Sequence, residues 1–198
     1  YSTGCVYGLS DLVHGGAVET DPLQPTDEYS MSCLGRERMI EYFSRTNSTP
    51  TSILRLNYAV EPRYGVLVDI AKMVLAEQPI DVTMGHCNVI WQGDANAMAL
   101  SSLANVSSPP FVVNLVGPEL LSVRGIAESF GKLFDKQVRF VGTESFSCLL
   151  TNGQRCHEIF GYPEVPVQKV IQWTADWILR GEPTHNKPTG FQVRDGQY

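Results

Sequence analysis

The chain has 198 residues, of which 43% are hydrophobic and 18% are charged. This composition is typical of one globular domain with its own core, and it excludes a disordered protein. The formal net charge of −6 argues against nucleic acid as a partner, because phosphate binding needs a basic face. No apolar run approaches the roughly 20 residues of a membrane-spanning helix, and no secretion signal opens the chain. We therefore expect neither nucleic acid nor a membrane as a partner.

The opening "YSTGCVYG" predicts a buried strand that runs into a glycine turn. Because natural chains seldom start inside a core strand, we expect this chain to be the C-terminal part of a longer protein. Residues 14–28 have turn chemistry throughout and predict a loop. Residues 29–46 predict a helix with three apolar residues towards the core (Leu34, Ile40 and Phe43) and with surface charges that include Arg36 and Glu37. Residues 51–60 are aliphatic and β-branched, which predicts a strand.

The rest of the chain alternates between helical and strand-like patterns. Helices are predicted at residues 66–77, from residue 95 to 106, after an N-cap at Ser122, and from residue 167 to a stop at Gly181. The helix after Ser122 has the clearest apolar stripe: Val123, Ile126, Ala127, Phe130, Leu133 and Phe134. Strands are predicted at residues 89–91, 111–116 and 137–141. Strands alternating with helices predict an α/β domain.

The cysteines are five in number and widely spaced: Cys5, Cys33, Cys87, Cys148 and Cys156. An odd, scattered set is typical of free thiols in a reducing compartment, so we expect a cytoplasmic protein. The adjacent pairs His86–Cys87 and Cys156–His157 lack the spacing that lets two side chains converge on zinc. We predict no metal site.

Six segments in order give the chain a family resemblance: "STGCVYG", "ETDPLQPTDEYSMSC", "ILRLNYAVEP", "VIWQGDANAMAL", "VVNLVGPELLSVRGIAESFGKLF" and "EIFGYPEVPVQKVIQWTADWI". In this order they resemble the later part of the extended short-chain dehydrogenase/reductases, in the NAD-dependent epimerase/dehydratase group. The resemblance implies the C-terminal part of a Rossmann-type, doubly wound parallel sheet with a small α/β substrate-binding lobe. Residues 1–62 would end the nucleotide-binding core and carry the tyrosine helix. Residues 63–198 would combine the substrate lobe with returning core elements, all within one partial domain.

The same resemblance implies the site residues. Thr3 would be the catalytic Ser/Thr and Tyr29 the catalytic tyrosine, while Cys33 stands where the family has a lysine. Cofactor contacts would come from Tyr29, Cys33 and Leu56, and substrate contacts from Asn57, Tyr58 and Arg63. The cofactor would be NAD or NADP. Its Gly-rich fingerprint lies near the family's N-terminus and is not in this sequence, so binding would require that half of the fold.

Cys33 decides how we interpret the site. The family lysine lowers the pKa of the tyrosine phenol, which is ordinarily about 10, and a neutral thiol cannot do so. Tyr29 would then serve as a proton donor, in reduction of a sugar derivative or another small carbonyl compound. We interpret Cys33 as a buried structural cysteine and Arg36, one turn further along, as a surface residue. The alternative function is a non-catalytic relative that binds a nucleotide or sugar or serves as a scaffold. Family analogy implies a homodimer through the tyrosine helix and the helix after it, in a four-helix interface.

Overall fold

A computed structural model describes residues 1–196 and shows short strands interspersed with six helices. The helices are α1 (Glu28–Asn47), α2 (Val66–Leu75), α3 (Gln92–Ser101), α4 (Val123–Phe134), α5 (Gln154–Phe160) and α6 (Val167–Leu179). The strands are β1 (Ser2–Thr3), β2 (Ser10–Asp11), β3 (Ser52–Leu56), β4 (Ala59–Val60), β5 (Ile80–Asp81), β6 (His86–Cys87), β7 (Ile90–Trp91), β8 (Phe111–Leu115), β9 (Leu121–Ser122), β10 (Phe140–Val141) and β11 (Ser147–Cys148). Short 3₁₀ turns follow β1, β2 and α3.

The central sheet is parallel and has the strand order β1–β3–β8. Thr3 lies beside Leu56, and Ser52 lies beside Phe111. The middle strand reads "SILRL" and is largely buried, as expected for a strand that is covered on both faces. The predicted α/β fold class is therefore confirmed.

The largest core lies among α2, α4 and α6, which pack against one another. α4 begins where it was predicted, because the Ser122 hydroxyl accepts a hydrogen bond from the Gly125 amide at 3.3 Å. Its predicted apolar stripe is buried except for Leu133, which is 44% exposed. No helix within residues 1–196 is both long and apolar enough to cross a bilayer.

Helix α1 lies where a helix was predicted, but a different face of it is buried. Asp27 forms a capping box with Ser30, which explains why the helix begins at Glu28. The predicted inward position of Phe43 is wrong, because this side chain is 49% exposed, and Leu34 and Ile40 are only half-buried. The buried face consists of small and polar residues: Ser30, Cys33, Glu37 and Ser44. Glu37, which was predicted to lie on the surface, is 5% exposed.

Several predicted boundaries also change. The predicted strand 51–60 is two strands, β3 and β4, because the chain turns at Tyr58, which has a φ of +38°. The predicted helix 95–106 begins earlier, at Gln92, and its last turn is 3₁₀. Helix α5 was not predicted as a separate element. The predicted strand 137–141 shortens to Phe140–Val141.

Candidate active site

The carboxyl ends of β1 and β3 bring Thr3 and Asn57 to one edge of the sheet. Thr3 ends β1 beside Leu56 of β3, and Asn57 is the next residue after that strand. Ligands of open parallel sheets bind at this edge. Gly4, the residue after Thr3, packs closely against Asn57, because a Cβ on Gly4 would lie 3.0 Å from the Asn57 Oδ1 atom. Both Thr3 and Asn57 are buried, at 6% and 3% exposure.

Tyr29 lies in the first turn of α1, close to the Thr3 hydroxyl and the Cys33 thiol. Its side chain is 59% exposed, so the ring borders solvent. Partial burial raises the pKa of Tyr29 above its ordinary value, the nearby Cys33 and Cys5 thiols raise it further, and the Thr3 hydroxyl lowers it. The phenol therefore keeps its proton at neutral pH. The structure thus brings together Thr3 and Tyr29, which were predicted to be catalytic, and Cys33, which stands where the family has a lysine.

Cys33 lies below Tyr29 and is 1% exposed. One Arg36 guanidinium nitrogen, Nη2, donates to the Cys33 sulfur at 3.3 Å. The Arg36 side chain is exposed otherwise, as predicted for a surface residue, but its charge lies against the thiol. The main causes of the raised Tyr29 pKa are burial and the neighbouring thiols, and Arg36 is not one of them, so it does not replace the missing lysine in this respect.

A buried ion pair supports the helix from beneath. Arg55 of β3 makes two parallel hydrogen bonds to the Glu37 carboxylate of α1, at 3.0 and 2.8 Å. Its Nη1 atom donates to the Tyr7 hydroxyl at 2.7 Å, and Tyr7 in turn donates to the Asn114 Oδ1 atom at 2.7 Å. The network joins α1 to all three strands of the sheet or their ends. Sequence reasoning missed it, although a charge inside the apolar run "SILRL" signals a buried partner.

The chain resembles known proteins in its fold but matches no family model and no curated protein by sequence. Among solved structures, a dTDP-glucose 4,6-dehydratase from Bacillus anthracis in complex with NAD has a TM-score of 0.75 at 18% identity, over 91% of this chain and 61% of that one. A UDP-glucose 4-epimerase from Thermus thermophilus in complex with NAD has a TM-score of 0.72 at 19% identity, over 88% and 61%. RMD from Pseudomonas aeruginosa, complexed with NADPH, has a TM-score of 0.73 at 18% identity, over 90% and 65%.

The chain has the fold of the extended short-chain dehydrogenase/reductases. It spans about three fifths of the length of the solved structures that it matches. The resemblance drawn from the six sequence segments is therefore confirmed at the level of fold.

A series of buried, hydrogen-bonded asparagine side chains runs from the sheet edge to Thr151. Asn57 donates to the Asn88 Oδ1 atom at 2.6 Å, and Asn88 donates to the Thr151 carbonyl oxygen at 2.6 Å. Asn88 and Thr151 line a cleft of about 290 Å³ whose other walls include His157 and Tyr162. Their rings are stacked with centroids 4.8 Å apart. The lining has neutral polar and aromatic groups, which are suited to hydroxyl-rich ligands. The sequence analysis named Asn57 as a substrate contact and His157 only in a rejected metal pair, and it predicted no role for Asn88, Thr151 or Tyr162.

The remaining predicted contact residues lie in different surroundings. Leu56 is half-buried against the core beneath the sheet, and Tyr58 packs against the core among α2, α4 and α6. Arg63 is paired with Glu61 at 2.9 Å and borders a separate cavity of about 220 Å³ that the C-terminal residues also line. The structure therefore groups Asn57 with Thr3 and places Arg63 in a cavity that Thr3 and Tyr29 do not line.

Metal and disulfide chemistry have little support in the described part of the chain. All five cysteines carry free thiols. Within residues 1–196, no three His, Cys, Asp or Glu side chains are grouped as a metal site would require. Burial raises the pKa of both Cys87 and Cys156 to about 12, so these thiols stay protonated and are poor metal ligands at neutral pH.

Proposed function

We propose that the protein is an oxidoreductase or epimerase of the NAD-dependent epimerase/dehydratase group, acting on a sugar derivative or another small carbonyl compound. The observation that carries this proposal is the meeting of Thr3 and Tyr29 at the carboxyl edge of a parallel sheet. The solved structures with this fold include a UDP-glucose 4-epimerase and a dTDP-glucose 4,6-dehydratase. Five free cysteines support a cytoplasmic location for such an enzyme.

The proposed role of Tyr29 is that of general acid. Its raised pKa keeps the phenol protonated, so it can donate that proton to a substrate oxygen that gains negative charge as its carbonyl is reduced. The Thr3 hydroxyl would hydrogen-bond the same oxygen and hold it in place. The resulting phenolate would regain a proton from water, because the Tyr29 ring borders solvent. The reverse direction is disfavoured, since it needs a phenolate, and burial and the neighbouring thiols hold the pKa of Tyr29 above its ordinary value.

A nicotinamide dinucleotide would supply the hydride chemistry. The residues present do not fit that group by themselves, because the Gly-rich fingerprint is not in this sequence. Cys33 is 1% exposed and covered by Arg36, so it cannot hold a ribose as the family lysine does. The part played by this chain is therefore limited to proton donation and substrate binding.

A sugar derivative fits the cleft beside the site. Asn57 donates to Asn88, and Asn88 lines a space of about 290 Å³ that has polar walls and the Tyr162 ring but is not lined by Thr3 or Tyr29. Amides and aromatic rings bind hydroxyl groups and ring faces without the charge that a phosphate would demand. We therefore place the sugar ring in this cleft and its reacting carbon next to Thr3.

The second candidate is a non-catalytic relative that binds a nucleotide or sugar, or serves as a scaffold. The arrangement around Cys33 favours it, because Arg36 contacts the sulfur while the pKa of Tyr29 is raised instead of lowered. Losing an activated acid–base group typically costs about 10²–10⁴ in rate. A protein that only binds its ligand would tolerate such a loss.

The deciding experiment is calorimetric titration of the full-length natural protein with NAD⁺, NADH, NADP⁺ and NADPH. The variants are wild type, Cys33→Lys and Cys33→Ser, where the serine controls for loss of the thiol without added charge. Binding by wild type, followed by carbonyl reduction that Tyr29→Phe abolishes, supports the enzyme. Binding by the lysine variant alone identifies Cys33 as a lesion and supports the non-catalytic relative.

We also propose a homodimer through α1. Met31, Met39 and Tyr42 lie on one face of this helix and are 57–60% exposed, with Gly35 between them. A Cβ on Gly35 would meet nothing within 4 Å, so a second helix has room to approach closely. Light scattering coupled to size exclusion should show a dimer for wild type and a monomer for Met39→Glu. A monomeric wild type would contradict the proposal.

A further inference from the structure

The residues after α6 cross the molecule and are fastened to the substrate lobe. The Thr189 amide and hydroxyl both donate to the Asp69 carboxylate of α2, each at 2.7 Å. Two residues later, Phe191 is 2% exposed and belongs to the core among α2, α4 and α6. A terminal segment with a buried aromatic anchor and paired polar groups is held in place rather than free.

Beyond Phe191 the segment reaches β11. Arg194 Nη1 donates to the Ser147 carbonyl oxygen at 2.6 Å, and Nη2 donates to the Ser147 hydroxyl at 2.9 Å. Nη1 also lies 3.4 Å from the carbonyl oxygen of Thr83. Ser147 belongs to β11, which pairs with β2 in the stretch before the tyrosine helix. Arg194 therefore ties the segment to β11 and to the Thr83 carbonyl oxygen.

Gly196 packs against the N-cap of α1. A Cβ on Gly196 would overlap the Thr26 carbonyl oxygen and would lie 3.1 Å from the Cβ atom of Asp27. Asp27 is the residue that caps the helix, with its carboxylate accepting from the Ser30 amide at 2.7 Å. Tyr29 is two residues further along. Gly196, which has no side chain, therefore lies against the cap that starts the tyrosine helix.

We propose that residues 189–196 form a strap that positions Tyr29 by holding the N-terminus of α1 against the substrate lobe. The strap is hydrogen-bonded to α2 and anchored in the core among α2, α4 and α6 at one end, and it packs against the α1 cap at the other. The Tyr29 ring itself is 59% exposed, so its own packing restrains it weakly. Its placement over Thr3 therefore depends on the backbone of the first helical turn, which the strap supports. Tyr29 acts as a positioned acid only under the proposed function, but its placement can be measured without any reaction.

The test compares Gly196→Ala with Gly181→Ala in the full-length natural protein. Both glycines have a positive φ, +79° and +69°, so both substitutions carry similar backbone strain. A Cβ on Gly181 would meet nothing within 4 Å, whereas one on Gly196 would collide with Thr26. Arg194→Ala serves as a second variant that releases the strap from Ser147 without touching the cap.

Two readouts decide the matter. Hydrogen exchange at the Ser30 and Met31 amides should rise about tenfold in Gly196→Ala and Arg194→Ala and stay unchanged in Gly181→Ala. The titration midpoint of Tyr29, followed by NMR of ring-labelled tyrosine with Tyr29→Phe for assignment, should fall towards 10 in the same two variants as burial of the phenol is lost. Equal exchange in the two glycine variants overturns the strap. Faster exchange with an unmoved Tyr29 titration overturns its positioning role.

Neither readout requires a cofactor or turnover, so the strap and the proposed activity can fail separately. If the full-length protein binds no dinucleotide, the exchange and titration results still test whether residues 189–196 hold Tyr29. If it is active, the strap variants should lower kcat more than they raise KM, because a displaced acid affects the chemical step.

Discussion

Replacing Glu37 by glutamine should destabilise the protein far more than an equivalent change on the same helix. Glu37 and Arg55 form a two-bond ion pair in which both side chains are almost fully buried, at 6% and 7% exposure. Removing the negative partner leaves the guanidinium buried without a counter-charge, which typically costs about 3–5 kcal/mol. That is a large fraction of the stability of a typical domain, about 5–15 kcal/mol.

The matched control is Glu41→Gln. Glu41 lies one turn further along α1 and pairs with Arg38 and Arg45, whose side chains are 65% and 60% exposed. Exposed pairs contribute about 0–1 kcal/mol, so this change should be nearly neutral. Urea unfolding followed by circular dichroism measures the free energy of unfolding of both variants. Equal losses in the two variants would refute the assignment of Glu37 and Arg55 as a buried, structurally required pair.

Three further predictions concern the core, the pH dependence and the helix cap. Phe130→Ala should lower the free energy of unfolding by about 3–5 kcal/mol, because Phe130 is fully buried, whereas Leu133→Ala on the same helix should cost less than about 1 kcal/mol in the same urea assay. Burial raises the pKa of Tyr7 to about 12, although Arg55 acts in the opposite direction. The unfolded state therefore loses this proton first as the pH rises. The free energy of unfolding should fall by about 2–3 kcal/mol between pH 10 and 12. Tyr7→Phe should remove that part of the pH dependence, and an unchanged profile would contradict it. Asp27→Ala should cost about 1–2 kcal/mol in thermal unfolding, since it removes the buried capping box, and a loss below about 0.3 kcal/mol would speak against the cap.

The sequence was most informative where local pattern and packing agree. In α4 an N-cap serine precedes an apolar stripe, and the helix lies where that pattern predicts it. In α1 the same reasoning failed, because Glu37 is buried by Arg55, a residue 18 positions later on a different element. Apolar spacing carries no information about such a pair. Phe43 was consequently assigned to the wrong face.

The candidate site was accessible from the sequence in part only. Thr3, Tyr29 and Cys33 could be grouped because they lie in segments that resemble a known motif order. Asn88 could not, since it is placed beside Asn57 by a turn and a short strand pair that have no strong pattern. The contact of Gly196 with the α1 cap was equally inaccessible, because it joins residues about 170 positions apart in a tail without periodicity.

The register of the central sheet has a consequence for how the chain reaches this structure. Ser2 pairs with Arg55 and Ser52 with Phe111, so each of the two ladders closes a loop of more than fifty residues. Loop closure costs entropy before the pairing contacts repay it, and chains dominated by such distant contacts fold slowly, on the order of milliseconds to seconds. The pairing that places Thr3 beside Leu56 therefore carries a larger entropic cost than the local contacts within each helix.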